Sequence, residues 1–440
     1  MMKTPIYDFL KKYANSAPVR LHMPGHKGVS ALGAETFDIT EVNGADSLYS
    51  PDGIIKESED IASELFGSDT YYSAEGSSLA IRAMLYLALL HAGEIGRKPK
   101  ILAGRNAHKV FISGAALLDL EVEWLFPEGS TYLSCNITPS YIRERLSHEA
   151  ELPAAVYITS PDYLGNMADI EGIAHACHDF GVLLLVDNAH GAYLKFLSPS
   201  QHPIDLGADM CADSAHKTLP SLTGGAYLHI SRSAPKVLSE KAKCALSLFG
   251  STSPSYLILA SLDLLLEKNI SFDDFCDKIS RIKAEISQHG YALFGNEPMK
   301  ITIDAKPYGY TGSALSEMLA ERGVVAEFAD PDYLVLMPSP KNSDAELSRL
   351  LSALFTIPRC TPIESEPPAL ILPEASMTPR KALLSPSEEV SAESAEGRIL
   401  AAVTVGCPPA VPVLVSGELV SKEAISVFKY YGIDKISVVK

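Results

Sequence analysis

The chain has 440 residues, 47% of them hydrophobic, a formal net charge of -17 and seven cysteines. So acidic a balance argues against nucleic-acid binding by phosphate neutralisation, and the length predicts two or three domains with ample core. The cysteines (Cys135, Cys177, Cys211, Cys244, Cys276, Cys360, Cys407) are odd in number and never form C-x-x-C, which argues against a disulfide framework or a structural zinc site and for a reducing cytoplasm.

Taken in chain order, the N-terminal stretch lacks a signal-type apolar core, and the longest apolar run, "GVLLLVD", falls far below the ~20 residues of a membrane helix. A soluble protein is expected. Residues 1–60 open with an amphipathic helix pattern and continue as an N-terminal arm rich in Gly, Pro, Asp and His, a loop composition. Residues 61–255 alternate helices with short apolar runs. Strands are predicted in "YYSAEG", "KILAG", "EVEWLFP", "AAVYITSP", "VLLLVD", "MCADSAH" and "GAYLHI". Apolar strands separated by helices imply an α/β domain with a mainly parallel sheet sandwiched by helices. A ligand then belongs at the carboxyl ends of those strands. A long helix, "SYLILASLDLLLEKN", leads into a smaller α/β domain over 256–357. Residues 358–440 read as an extended Pro- and Ser-rich connection followed by a small C-terminal domain.

Asp187 ends the strand "VLLLVD", and Lys217 follows the next predicted strand in "ADSAHKTLP". A carboxylate and a lysine in apolar surroundings either pair with each other or serve a ligand. The ligand reading has one chemical form that uses both: pyridoxal phosphate (PLP) needs a lysine for its Schiff base, an acid for its ring nitrogen and a cradle for its phosphate. The segment "SAEGSS" opens a helix, where Gly76 permits a close turn and Ser77 and Ser78 offer hydroxyls and amides to a dianion. His108, after "KILAG", lies where an imidazole can stack on the pyridine ring. His216 can contact phosphate or the substrate carboxylate. A metal held by Asp187, His190 and His216 is disfavoured, because no further ligand spacing completes a site.

Several segments in order resemble the Orn/Lys/Arg decarboxylases, PLP enzymes of fold type I: "LHMPGHKG", "DITEVNGADSLYSPDGIIKESEDIASELFG", "AEGSS", "RNAHK", "VDNAHGAY", "DSAHKTLPSLTGGAYLH", "STSPSYLILASLD", "MTPRKALLSPSEEV" and "PPAVPVLVSGE". The resemblance spans nearly the whole chain and matches the short form without the N-terminal wing. It implies that Lys217 carries the Schiff base, Asp187 partners the pyridinium and His108 stacks on the ring. Ala189 would back the other face, Ser77, Ser78, Ser214 and His216 would surround the phosphate, and His190 would join the cofactor wall. "TSPSY", Thr252 to Tyr256, would reach across a homodimer. Ala410 and Ser416 depart from the family's usual glycine and proline, and Val110 from its usual serine.

The implied reaction is decarboxylation of lysine, ornithine or arginine to cadaverine, putrescine or agmatine. Lys217 and His216 are both candidates to protonate the resulting carbanion. An aminotransferase or carbon–carbon lyase on the same scaffold stays open, because orientation at Cα, which no motif displays, decides which bond breaks. A catalytically inactive regulatory relative is the third reading. For the substrate's distal cation, Glu41, Asp46 and Asp52 are the acids at hand.

Overall fold

A computed structural model describes residues 3–266, 270–406 and 411–440, and divides the chain into two compact units: 1–101, 142–158 and 170–271 in the first, 102–141, 159–169 and 272–440 in the second. Ala410 and Cys407, singled out in the sequence, lie outside the described residues.

The main sheet contains β1 (Ser68–Ser73), β2 (Lys100–Gly104), β3 (Glu121–Leu125), β4 (Ala155–Thr159), β5 (Leu183–Asp187), β6 (Met210–Asp213) and β7 (Ala226–Ser231). Their order is β1-β7-β6-β5-β4-β2-β3, and the sheet is mostly parallel, as the sequence predicts. The exception is β7, antiparallel to both β1 and β6. Every residue of β5 and β6 is buried, the mark of strands covered on both faces. Helix Gly76–Glu94 is apolar on most of its circumference and buries ten residues, Leu79, Ala83, Met84 and Leu87 among them. Parallel pairing of β5 with β6 sets Asp187 beside Ala212, and one helical turn, Ala215–Thr218, follows β6 directly. The predicted strand "MCADSAH" therefore stops at Asp213, where the chain turns out of the sheet.

Helix Tyr256–Asp263 is shorter than the "SYLILASLDLLLEKN" pattern suggests. Leu265 and Leu266 are buried beyond its end, so apolar content alone did not mark where the helix stops.

The second unit holds a four-stranded sheet, β8 (Ala292–Phe294), β9 (Ile301–Asp304), β10 (Phe328–Ala329) and β11 (Tyr333–Leu336), in the order β10-β11-β9-β8. All three pairings are antiparallel. Helices Asp273–Gln288, Gly312–Glu321 and Asp344–Phe355 contribute Ile279, Leu315 and Leu350 to its core with Ile303 and Leu334. The last helix starts on a capping box in which Ser343 and Glu346 satisfy each other's amides,. The Pro-rich stretch is extended only to about Thr378. Helix Pro379–Leu383 and two small sheets follow, β12 (Ser387–Ser391) with β15 (Lys435–Val439) and β13 (Thr404–Val405) with β14 (Leu414–Val415). Leu400, Val427, Phe428 and Val438 form their core. No described helix is long and apolar enough to cross a membrane.

Candidate functional site

In the first unit the carboxyl ends of β5 and β6 gather the predicted groups. Asp187, 2% exposed, accepts the Tyr157 hydroxyl at 3.1 Å and the Ala189 amide at 3.2 Å. Tyr157 stands on the neighbouring strand β4, fully buried, and burial next to Asp187 pushes its phenol well above the usual range. It is thus a donor at any working pH. Sequence reasoning passed over Tyr157, although a tyrosine in an apolar strand needs an acceptor for its hydroxyl.

Lys217 sits in the turn Ala215–Thr218 with Nζ 3.1 Å from His190 Nε2. His190 is buried, but Lys217 is exposed, contrary to the interior position its flanks suggest. Ala215 and Thr218 are buried around it, so one helical turn keeps the backbone inside while its lysine reaches out of the sheet end. His216 is half-buried, and its Nδ1 lies 3.0 Å from the Gly225 carbonyl. A carbonyl only accepts, so Nδ1 carries hydrogen and Nε2 is left to meet a ligand.

Helix Gly76–Glu94 begins without a side-chain cap from Glu75, which leaves its first-turn amides to another acceptor. Gly76 has φ +72, nothing lies within 4 Å of where a Cβ would stand, and its amide donates to Gly224 O at 2.7 Å. Ser214 donates to Ser77 Oγ at 2.8 Å, joining the turn after β6 to this helix start, and Ser78 beside it is half-buried. Thr218 Oγ1 and Ser221 Oγ are buried hydroxyls that meet no partner among the described residues. In this unit the structure therefore brings together Asp187 with Ala189, Lys217 with His190, and Ser77 with Ser214.

His108 lies in the second unit as the N-cap of helix Lys109–Leu118, its Nδ1 accepting the Val110 amide at 3.3 Å. Nε2 is then the nitrogen with hydrogen. Val110 is buried, and Ser416, the other departure, is buried with Oγ 3.3 Å from Pro379 O.

The N-terminal acids have other work. Asp46 accepts amides from Ser47, Asp52, Gly53, Ile55 and Lys56. Burial opposes its charge, but these amides outweigh it and hold the carboxyl below its usual range. Glu41 accepts from Ser47 Oγ at 2.7 Å, while Asp52 is exposed. Ser255 caps helix Tyr256–Asp263 and Tyr256 donates to Asp46 O at 2.6 Å, with Thr252 exposed.

Behind Asp187 and Lys217 lies a group that no motif announced. Asp213, fully buried, receives His202 Nε2 at 3.0 Å, His229 Nε2 at 3.3 Å, Asn188 Nδ2 at 2.7 Å and Cys211 Sγ at 3.2 Å. His202, Cys211 and Asp213 present metal-ligand atom types within 4.8 Å of one another, yet protons account for the contacts. His202 Nδ1 accepts the Ile204 amide and His229 Nδ1 faces Thr70 Oγ1, which leaves both Nε2–H groups to donate. Burial opposes Asp213's charge, and the two imidazoles outweigh it, holding the carboxyl well below its usual range. Burial also pushes His229 down, keeping it neutral.

The mostly parallel sheet, an acid closing β5 and a lysine just past β6 define an α/β enzyme of the aminotransferase-like fold-type I class. An alanine–glyoxylate aminotransferase from Nostoc has this fold, with TM-score 0.54 and 16% identity over 68% of this chain and 85% of that one. The chain belongs to the Orn/Lys/Arg decarboxylase family: the major-domain model of that family matches residues 4–271 and the C-terminal-domain model residues 366–435. An arginine decarboxylase of Bacillus subtilis is 31% identical over 97% of this chain and 93% of its own length. Lysine decarboxylase A of Pseudomonas aeruginosa superposes with TM-score 0.80 at 19% identity, covering 99% of this chain and 80% of that one. The protein is accordingly an amino-acid decarboxylase of a family named for basic substrates.

Proposed function

We propose that the protein is a PLP-dependent decarboxylase of lysine, ornithine or arginine, releasing carbon dioxide and cadaverine, putrescine or agmatine, and that it works in the cytoplasm as at least a homodimer. The observation that carries this reading is the triad of chemistries in one unit: a buried carboxylate at the end of β5, a lysine amine held by an imidazole past β6, and an uncapped helix start lined by serines. These residues fit PLP. The helix start takes a dianion, and the buried carboxylate of Asp187 calls for a cation or donors.

When bound, PLP supplies an electron sink for the electrons left at Cα as carbon dioxide departs. The chain does the rest. Asp187, oriented by Tyr157 and the Ala189 amide, would present its carboxylate to the ring nitrogen. Gly76, Ser77, Ser78 and Ser214 would hold the phosphate and Ala189 would back one face of the ring; stacking by His108 is what the family resemblance implies. His190 steadies the Lys217 amine. His216, fixed through Nδ1 by Gly225, would meet the phosphate or the substrate carboxylate through Nε2 as the imidazolium, with hydrogen on both nitrogens. Lys217 and His216 are the two candidates to return a proton to Cα.

The test is product analysis with purified protein, PLP and each amino acid in turn. Carbon dioxide and the matching amine from one of the three are expected, and Lys217→Ala should abolish both along with the visible absorbance that borohydride bleaches. No carbon dioxide from any of the three would refute the reading. A keto acid in its place would point to an aminotransferase, and a protein that binds PLP without turnover to a regulatory relative.

A further inference from the structure

Two C-terminal segments that tie the sequence to its family, "MTPRKALLSPSEEV" and "VPVLVSGE", have no task in the reading above. The first bonds the helix Lys109–Leu118 and the second bonds Arg105, four residues ahead of that helix. Arg380 donates from Nη1 to Leu117 O at 2.8 Å and Ala116 O at 3.4 Å. These carbonyls belong to the last turn, where intrahelical donors run out, although Ala116 O also takes the Asp119 amide at 3.3 Å, and where a cation meets the negative end of the helix dipole.

Just ahead of the helix's other end, Arg105 pairs with Glu418 through two bonds, Nη1 to Oε1 at 2.8 Å and Nη2 to Oε2 at 2.7 Å. The guanidinium also reaches Val413 O at 3.3 Å and lies 5.0 Å from the Trp124 ring centroid. Side-chain exposure is 1% for Arg105 and 4% for Glu418, so losing either partner strands a buried charge. Glu418 is braced in turn by the Val415 amide at 2.7 Å. Gly417 before it has φ +93, and a Cβ there would stand 2.3 Å from Met377 O, which is how the two segments come so close. Arg105 precedes His108, the N-cap of the same helix, by three residues.

We propose that Arg380 and Glu418 are positioning residues that fix the His108 helix at its two ends, so that the C-terminal region sets where the imidazole stands. The consequence for cofactor binding rests on reading His108 as the ring-stacking group. The experiment compares wild type, Arg380→Ala, Arg380→Lys and Glu418→Gln as PLP-loaded protein, by hydrogen exchange over residues 108–118, by the visible circular dichroism of bound PLP and by the PLP dissociation constant. Arg380 is exposed, so its variants should fold even where Glu418→Gln does not. Arg380→Ala should speed exchange in the last turn about fivefold, weaken PLP by a similar factor and change the dichroic band, and Arg380→Lys should restore most of each. Exchange, band and affinity all unchanged in Arg380→Ala would overturn the proposal. If wild type binds no PLP, the cofactor reading falls, and exchange alone decides whether the C-terminal region holds the helix.

Discussion

Tyr157 and Tyr227 offer a paired experiment on one sheet. Both are fully buried, on β4 and β7. Tyr157 donates to Asp187 Oδ2, whereas the Tyr227 hydroxyl meets no partner among the described residues. The substitution Tyr→Phe removes one oxygen from each and leaves the packing alone. For Tyr157→Phe the loss is a hydrogen bond to a charged acceptor, about 1.5–3 kcal/mol, and Asp187 keeps only the Ala189 amide of the two donors described above. For Tyr227→Phe the hydroxyl's burial without a partner is a cost already borne by the wild type, so removal is neutral or stabilising. In a unit of this size about 1 kcal/mol moves the melting temperature by roughly 2–4 °C. Scanning calorimetry of the PLP-free protein should therefore show Tyr157→Phe lowered by roughly 3–12 °C and Tyr227→Phe at or above wild type. Equal shifts for the two variants would refute the assignment of Tyr157 as the partner of a charged Asp187.

Gly312→Ala should destabilise the second unit strongly, near the upper end of the roughly 1–3 kcal/mol typical of overpacking, because the new Cβ would stand 2.0 Å from Tyr333 O and 2.7 Å from Asp330 O. Gly76→Ala meets open space and should cost only its left-handed backbone, about 1–2 kcal/mol; calorimetry in which Gly76→Ala is the more damaging would contradict this. Asp263 accepts Ser58 Oγ and the Tyr7 amide, but burial dominates and pushes its carboxyl up to about 6 from 3.8. Between those values the folded chain holds a proton the unfolded chain has lost, so this group's contribution to stability falls as pH rises across that window and is level above it. Asp263→Asn should remove that slope from melting temperatures measured across the window, and an unchanged slope would count against it.

The strands of the main sheet were legible because each is a short apolar run closed by turn residues. The positions of Asp187, Lys217 and the "SAEGSS" helix start at the ends of elements followed from where such runs end, although Lys217 meets His190 and not Asp187. What stayed hidden depends on pairing across the sheet. Cys211 faces His229 only through the antiparallel register of β6 and β7, and nothing in the spacing of His202, Cys211, Asp213 and His229 foretells that they converge. Lys217 was misplaced as interior because one helical turn separates the burial of its backbone from that of its side chain. Asp46, a candidate for the substrate's cation, proved to be occupied by five amides, which composition cannot reveal. The ends of elements were the other loss: "MCADSAH" and "SYLILASLDLLLEKN" carry no stop signal where the chain actually turns.

The carboxylate at Asp213 has consequences for anyone altering this protein. Four donors converge on a single buried anion, so replacing Asp213 alone strands their hydrogens in the interior, whereas each donor lost weakens what holds the charge there. His202, His229, Cys211 and Asn188 all depend on the one carboxylate of Asp213. A redesign that removes the carboxylate has to supply new acceptors for His202, His229, Asn188 and Cys211 at the same time.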